Sequence, residues 1–146
     1  MTTAGQHYME MIEEWSRRTQ RGESQVHLTE FWLEVKGLAD AMILRSHEAQ
    51  DLERAGDIEN AIKIYEDLVQ QHHFHPGPYI RLRILYARQR RYEDAIGICK
   101  AFIALEQTKN DSERRLQDRI HPIYPEEAQR FAGWIKKYQL KLQKAR

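Results

Sequence analysis

The chain has 146 residues, 31% charged and 10% aromatic, with 4 prolines and a single cysteine; it is long enough for one domain with a real core, and its profile is that of a soluble helical protein. A lone cysteine excludes an internal disulfide, and no apolar run approaches a membrane span. The net charge of +1 hides a split, because residues 1–70 hold 7 Lys+Arg against 14 Asp+Glu while residues 71–146 hold 16 against 8, so the second half could meet an acidic protein, a nucleic acid or the acidic half of a second copy.

The first residues, Met1-Thr2-Thr3-Ala4-Gly5-Gln6, lack the basic-then-apolar pattern of a secretory leader. The cytoplasm is therefore the expected compartment. Residues 7–20 read as an amphipathic helix with Tyr8, Met11, Ile12 and Trp15 on one stripe. Gly22-Glu23-Ser24 ends it. The expected role is to cover the first helix repeat; a dimer contact is the alternative.

Residues 28–55 contain no strong breaker except Gly37. Phe31, Val35, Leu38 and Met42 step by four, three and four, and Trp32, Leu33, Ile43 and Leu44 widen the apolar face. The pattern leaves open one long helix or two helices meeting near Gly37 or Ser46.

From Gly56 to Leu105 one helical pattern is written twice. Ala61-Ile62-x-Ile64 returns 34 residues later as Ala95-Ile96-x-Ile98, Glu59 returns as Glu93, and Leu68 as Phe102. A fixed period of this length signals stacked helix pairs, each burying the apolar face that its neighbour cannot bury alone. Ala61 and Ala95 would let two helices approach closely. Asp57 is placed to cap the helix over 58–71. A second pair follows, with one helix over 78–90 opened by Pro78 and another over 92–107. Cys99 falls on the apolar stripe of the latter and reads as a core thiol rather than a nucleophile.

Tyr79, Leu82, Tyr86 and Ala95, with Cys99 in the second aromatic slot, follow the spacing of the tetratricopeptide repeat family, and Ala49, Leu52, Gly56, Ala61 and Tyr65 follow it in the preceding copy. Over residues 43–105 the chain resembles that family. Arg83 stands where the family prefers a small residue, Arg45 and Glu48 stand in its first aromatic and Leu slots, and its closing proline appears as Pro76 rather than at His73. The resemblance implies a single all-α domain over 1–146: an antiparallel helix-pair, right-handed solenoid of about two repeats with capping helices at both ends. It also implies a non-catalytic scaffold that binds a protein segment in a concave groove. Mapped onto this sequence, the groove positions are Ile43, Ser46, Gln50, Glu53 and Arg54, then Gly77, Ile80, Ile84, Ala87 and Arg88. Arg81 shares a face with Arg88 and joins them. Some members clamp a terminal carboxylate with Lys and Asn, but Ser46 and Gln50 stand there instead. The mixed lining suits an amphipathic helix or an extended peptide.

His72, His73 and His75 crowd the Pro-Gly turn between the pairs. A metal site needs ligands converging from a rigid frame, so no metal is expected here. Arg81, Arg83, Arg88, Arg90 and Arg91 could grip phosphate or carboxylate; the plainer reading is a solvated face. Residues 108–124 turn polar, with a helical turn beginning at Asp111 or Ser112 and prolines at 122 and 125 preventing a continuous helix. Residues 125–144 form a last amphipathic helix, with Phe131, Ile135, Tyr138 and Leu142 on the stripe and Trp134 beside them. Its expected role is to cap the repeats.

No Gly-rich phosphate loop, paired-cysteine motif or nucleophile elbow is present, and Asp51-x-Glu53 and Glu126-Glu127 read as surface carboxylates. The expectation is a protein with no catalytic site and no cofactor. Its expected partner is a protein or peptide; a homodimer is a further candidate. The alternative is a nucleic-acid partner for Arg81, Arg83, Arg88, Arg114, Arg115, Lys136 and Lys137.

Overall fold

The computed structural model describes residues 3–22, 29–120 and 126–145. Among them every regular element is an α-helix: α1 Ala4–Gln20, α2 Thr29–Arg54, α3 Ile58–Gln70, α4 Gly77–Arg88, α5 Tyr92–Gln107, α6 Asp111–Ile120 and α7 Glu126–Lys144. No described helix is long and apolar enough to cross a membrane. Glu23-Ser24, His121-Pro122 and Tyr124-Pro125 lie outside the described residues.

α1 starts three residues before its expected position, for a reason written in the sequence. Thr3 and Gln6 form a capping box: the Thr3 hydroxyl accepts from the Gln6 N–H at 3.1 Å, and the Gln6 side chain accepts from the Thr3 N–H at 3.0 Å. α2 is one unbroken helix of 26 residues. Gly37 does not split it, because a single glycine weakens a helix by only about 1 kcal/mol, and Val35, Ala39, Met42 and Ala49 are all buried along its length. α6 begins at Asp111, one of the two expected positions.

The 34-residue period reappears in the backbone. Gly22, Gly56 and Arg90, each 34 residues from the next, all adopt positive φ, at 81°, 84° and 60°. At Gly56 the N–H donates to the Glu53 carbonyl and the following Asp57 N–H to that of Leu52; at Arg90 the same two bonds run to Ala87 and, from Arg91, to Tyr86. This crossed pair of bonds satisfies the orphan carbonyls at a helix end. α3 ends in the same way at His72, φ 58°, with bonds to Val69 and, from His73, to Leu68.

From α1 to α5 each helix packs on its chain neighbour; α6 then returns to α1 and α7 packs on α5. Two apolar clusters result. The larger holds Ala49, Ala61, Tyr65, Tyr79, Leu82, Ala95, Cys99, Phe102, Phe131 and Tyr138. Ala61 and Ala95 are fully buried. The aromatic rings run from Tyr79 to Phe102 (5.3 Å, edge-on) and on to Phe131 (4.5 Å), which fastens α7 to the core. The smaller cluster joins Tyr8, Met11, Ile12 and Trp15 to Val35, Met42, Phe74 and Leu116. Leu116 comes from α6, and Phe74 from the turn between α3 and α4.

That turn is part of the core. Phe74 is 1% exposed and stacks on Tyr8 at 5.2 Å. The histidines around it serve the backbone: His73 Nδ1 accepts from the His75 N–H at 3.0 Å, and His75 Nδ1 accepts from the Gly77 N–H at 3.1 Å. His73 is buried against Phe74, whereas His72 is exposed. Gly5 lets α1 lie against the end of α3, since a Cβ there would stand 2.4 Å from the Gln71 carbonyl oxygen.

Candidate functional site

α4 divides cleanly by periodicity. Pro78, Tyr79, Leu82, Arg83, Leu85 and Tyr86 are buried, while Gly77, Ile80, Arg81, Ile84, Ala87 and Arg88 keep solvent contact. The second set forms one strip, as the spacing of three and four requires. It contains every α4 residue predicted for the groove.

On one side of this strip a cleft of about 340 Å³ opens between α2 and α4, lined by Gln50, Glu53, Arg54, Ile58, Arg81 and Arg88. It unites Gln50, Arg54, Arg81 and Arg88 from the predicted set. Glu53 anchors it. The Arg81 Nε donates to Glu53 Oε2 at 3.2 Å, Arg81 Nη2 donates to Oε1, and the Tyr65 hydroxyl donates to Oε2. The Glu53 side chain is only 10% exposed, so it is no ordinary surface carboxylate. Burial pushes its pKa up, but the bonds from Arg81 and Tyr65 outweigh that and hold it below the usual glutamate value. Donating to Glu53 raises Arg81, and burial followed by the hydrogen bond to Glu53 raises Tyr65.

Arg81 lines the cleft while already holding a partner within the chain. Its two-point bond to Glu53 ties the guanidinium to the wall of the cleft, with its outer side still in contact with solvent. Arg88 stays exposed at the rim, and Arg54 is exposed with Asp51 at 3.2 Å.

On the other side of the strip, a smaller cleft of about 140 Å³ lies between α4 and α7, lined by Ile80, Arg83, Glu127, Arg130, Phe131 and Trp134. Arg83 is 7% exposed and so does not belong to a solvated arginine face. Its guanidinium lies 4.2 Å from the Trp134 ring centroid and donates from Nη1 to the Tyr138 hydroxyl at 3.2 Å. Stacked under α7, this arginine fills the place where the repeat pattern prefers a small residue. Glu127, 13% exposed in its side chain and 2.9 Å from Arg130, is likewise more enclosed than a surface carboxylate.

The remaining predicted residues fall elsewhere. Ile43 packs against the smaller cluster, Ser46 is 6% exposed, and Ile84 sits half-buried on the strip between the two clefts. Ile58, Glu127, Arg130 and Trp134 enter the clefts without having been singled out for them. Ile58 follows the Asp57 cap directly, and the other three ride on a helix whose place beside α4 no local pattern specifies.

Several members of the basic set are engaged within the chain. Arg114 donates to the Glu106 carbonyl oxygen, and Lys137 Nζ lies 4.4 Å from the Trp134 ring centroid. Arg88, Arg115 and Lys136 are exposed. No protein-family model matches the chain, and no curated protein or solved structure is significantly similar to it.

Proposed function

We propose that this chain is a non-catalytic scaffold of the tetratricopeptide type, a right-handed helix-pair solenoid of about two repeats, that binds a helical or extended peptide along the α4 strip. The observation that carries the reading is the composition of that strip. Ile80, Ile84 and Ala87 offer an aliphatic line, with a cleft on each side and charged rims at Arg54 and Arg88. An amphipathic partner with apolar residues at helical spacing and acidic residues on one flank fits such a surface. The Arg81–Glu53–Tyr65 network stiffens the wall it would rest on.

Selection of peptides from a displayed random library tests this. Selected peptides are expected to bind the wild type and to lose at least about tenfold in affinity against Ile84→Glu and Gln50→Arg, with helical circular dichroism unchanged. Peptides that bind both variants as well as the wild type would reject the groove. The nucleic-acid reading is the weaker one, because Arg81, Arg83, Arg114 and Lys137 have partners within the chain. It requires binding to random-sequence oligonucleotides that falls steeply with added salt.

A further inference from the structure

Three large apolar side chains stand well exposed among the described residues: Leu33 (56%), Leu44 (62%) and Leu140 (56%). Two lie on α2 and one on α7, on the outward faces of those helices. The two faces share one pattern. On α2, Gly37 precedes Leu44 by seven residues; on α7, Gly133 precedes Leu140 by seven. All four residues are exposed, and a Cβ on either glycine would meet nothing. Packing within the chain therefore does not call for glycine at these places, although glycine is the residue a helix interior tolerates least after proline.

A glycine on a helix surface is a notch, and an exposed leucine is a knob. Two helices carrying the pair at equal spacing fit when they cross antiparallel: Leu140 enters the notch at Gly37 while Leu44 enters the notch at Gly133. Either face could in principle pair with its own copy, but charge decides against that. Around its leucines the α2 face carries Asp40, Glu48 and Asp51, and around Leu140 the α7 face carries Lys136, Lys137 and Lys144, with Glu126 at its far end, all exposed. Lys36, Arg45 and Arg54 pair with those three acids along α2, yet the helix as a whole holds six acids against three bases, while α7 holds five bases against two acids. Pairing α2 with α2 sets acid on acid, and α7 with α7 sets base on base. Pairing α2 with α7 brings Asp40 opposite Lys136 and Lys137.

We infer that the α2 face of one copy docks on the α7 face of the next, so that the chain self-associates head to tail. Such a contact is heterologous; each copy keeps one face free and the assembly grows beyond a dimer unless it closes into a ring. Neither face includes the α4 strip or its clefts, so the inference does not depend on the proposed groove.

Sedimentation velocity and light scattering on the full chain across the micromolar range test it. The wild type is expected to gain mass with concentration and to dissociate as salt rises. Leu44→Gln and Leu140→Gln each remove one knob from an exposed site without disturbing the fold, and each alone should weaken association by about tenfold or more. Mixed in equal amounts, they retain one intact α2 face and one intact α7 face between them, and should form a 1:1 complex that grows no further. A wild type that stays monomeric throughout overturns the inference. So does a mixture no more associated than its components, or a Leu140→Gln variant that assembles like the wild type while Leu44→Gln does not, since that would be an α2–α2 contact.

Discussion

Arg81 and Glu53, 28 residues apart in the chain, meet in a two-point guanidinium–carboxylate pair that bridges α2 and α4 in the wall of the cleft. One partner is 33% exposed and the other 10%, so the pair is shielded on the carboxylate side and open on the other. Glu53→Gln should destabilise the fold by about 1–3 kcal/mol, because Arg81 and the Tyr65 hydroxyl would lose a charged acceptor. The pH dependence follows from the lowered pKa. Glu53 contributes stability above the ordinary glutamate pKa, and that contribution is lost as pH falls through its lowered folded value. Urea titrations at pH 7 and at successively lower pH should show a steeper loss in the wild type than in Glu53→Gln.

The repeated helix ends make opposite predictions at equivalent positions. Gly56→Ala forces a Cβ into φ 84° where nothing crowds it, so its cost is backbone strain alone, about 1 kcal/mol. Arg90 holds the same conformation with a side chain, and Arg90→Gly should be neutral or stabilising by up to about 1 kcal/mol. Thermal melts of the two variants should move apart.

Arg83 is held by a flat aromatic neighbour and one hydroxyl. Arg83→Lys keeps the charge but loses the planar stack on Trp134, and should cost about 1–2 kcal/mol. Arg83→Met removes the charge and keeps much of the volume, and should cost less. Trp134 fluorescence should shift in both, which ties the effect to the α4–α7 contact.

Phe74→Ala should be among the most damaging single changes, at about 3–5 kcal/mol, because it empties the space between Tyr8 and the smaller cluster. Hydrogen exchange should then speed up first in α1, which depends on that contact.

Cys99 is fully buried, and burial pushes its thiol up to about 11. A thiol reagent at neutral pH should label it only as fast as the fold opens, and denaturant should make labelling immediate. Prompt labelling of the folded chain would contradict its burial.

Most helices and the period that joins them were legible in the sequence, but the apolar pattern set neither the start of α1 nor the continuity of α2. Apolar residues at spacings of three and four marked the buried stripes of α1, α3, α5 and α7, and the 34-residue offset anticipated the burial of both Ala61 and Ala95. Gly77, Ile80, Ile84, Ala87 and Arg88, named from the family resemblance, and Arg81, named from its seven-residue spacing to Arg88, share the solvent-facing strip of α4. Thr3-x-x-Gln6 is the local signal for the start of α1. Tertiary structure decided the rest. Nothing local shows that Glu53 and Arg81 face each other, that Arg83 lies under Trp134, or that Phe74 reaches Tyr8 from the Pro-Gly turn between α3 and α4. Local patterns report which side of a helix is apolar, through propensity and periodicity acting over a few residues. Which polar groups become shielded depends on how helices distant in the chain stack, because a charge finds its partner and loses its water only when a second element closes over it.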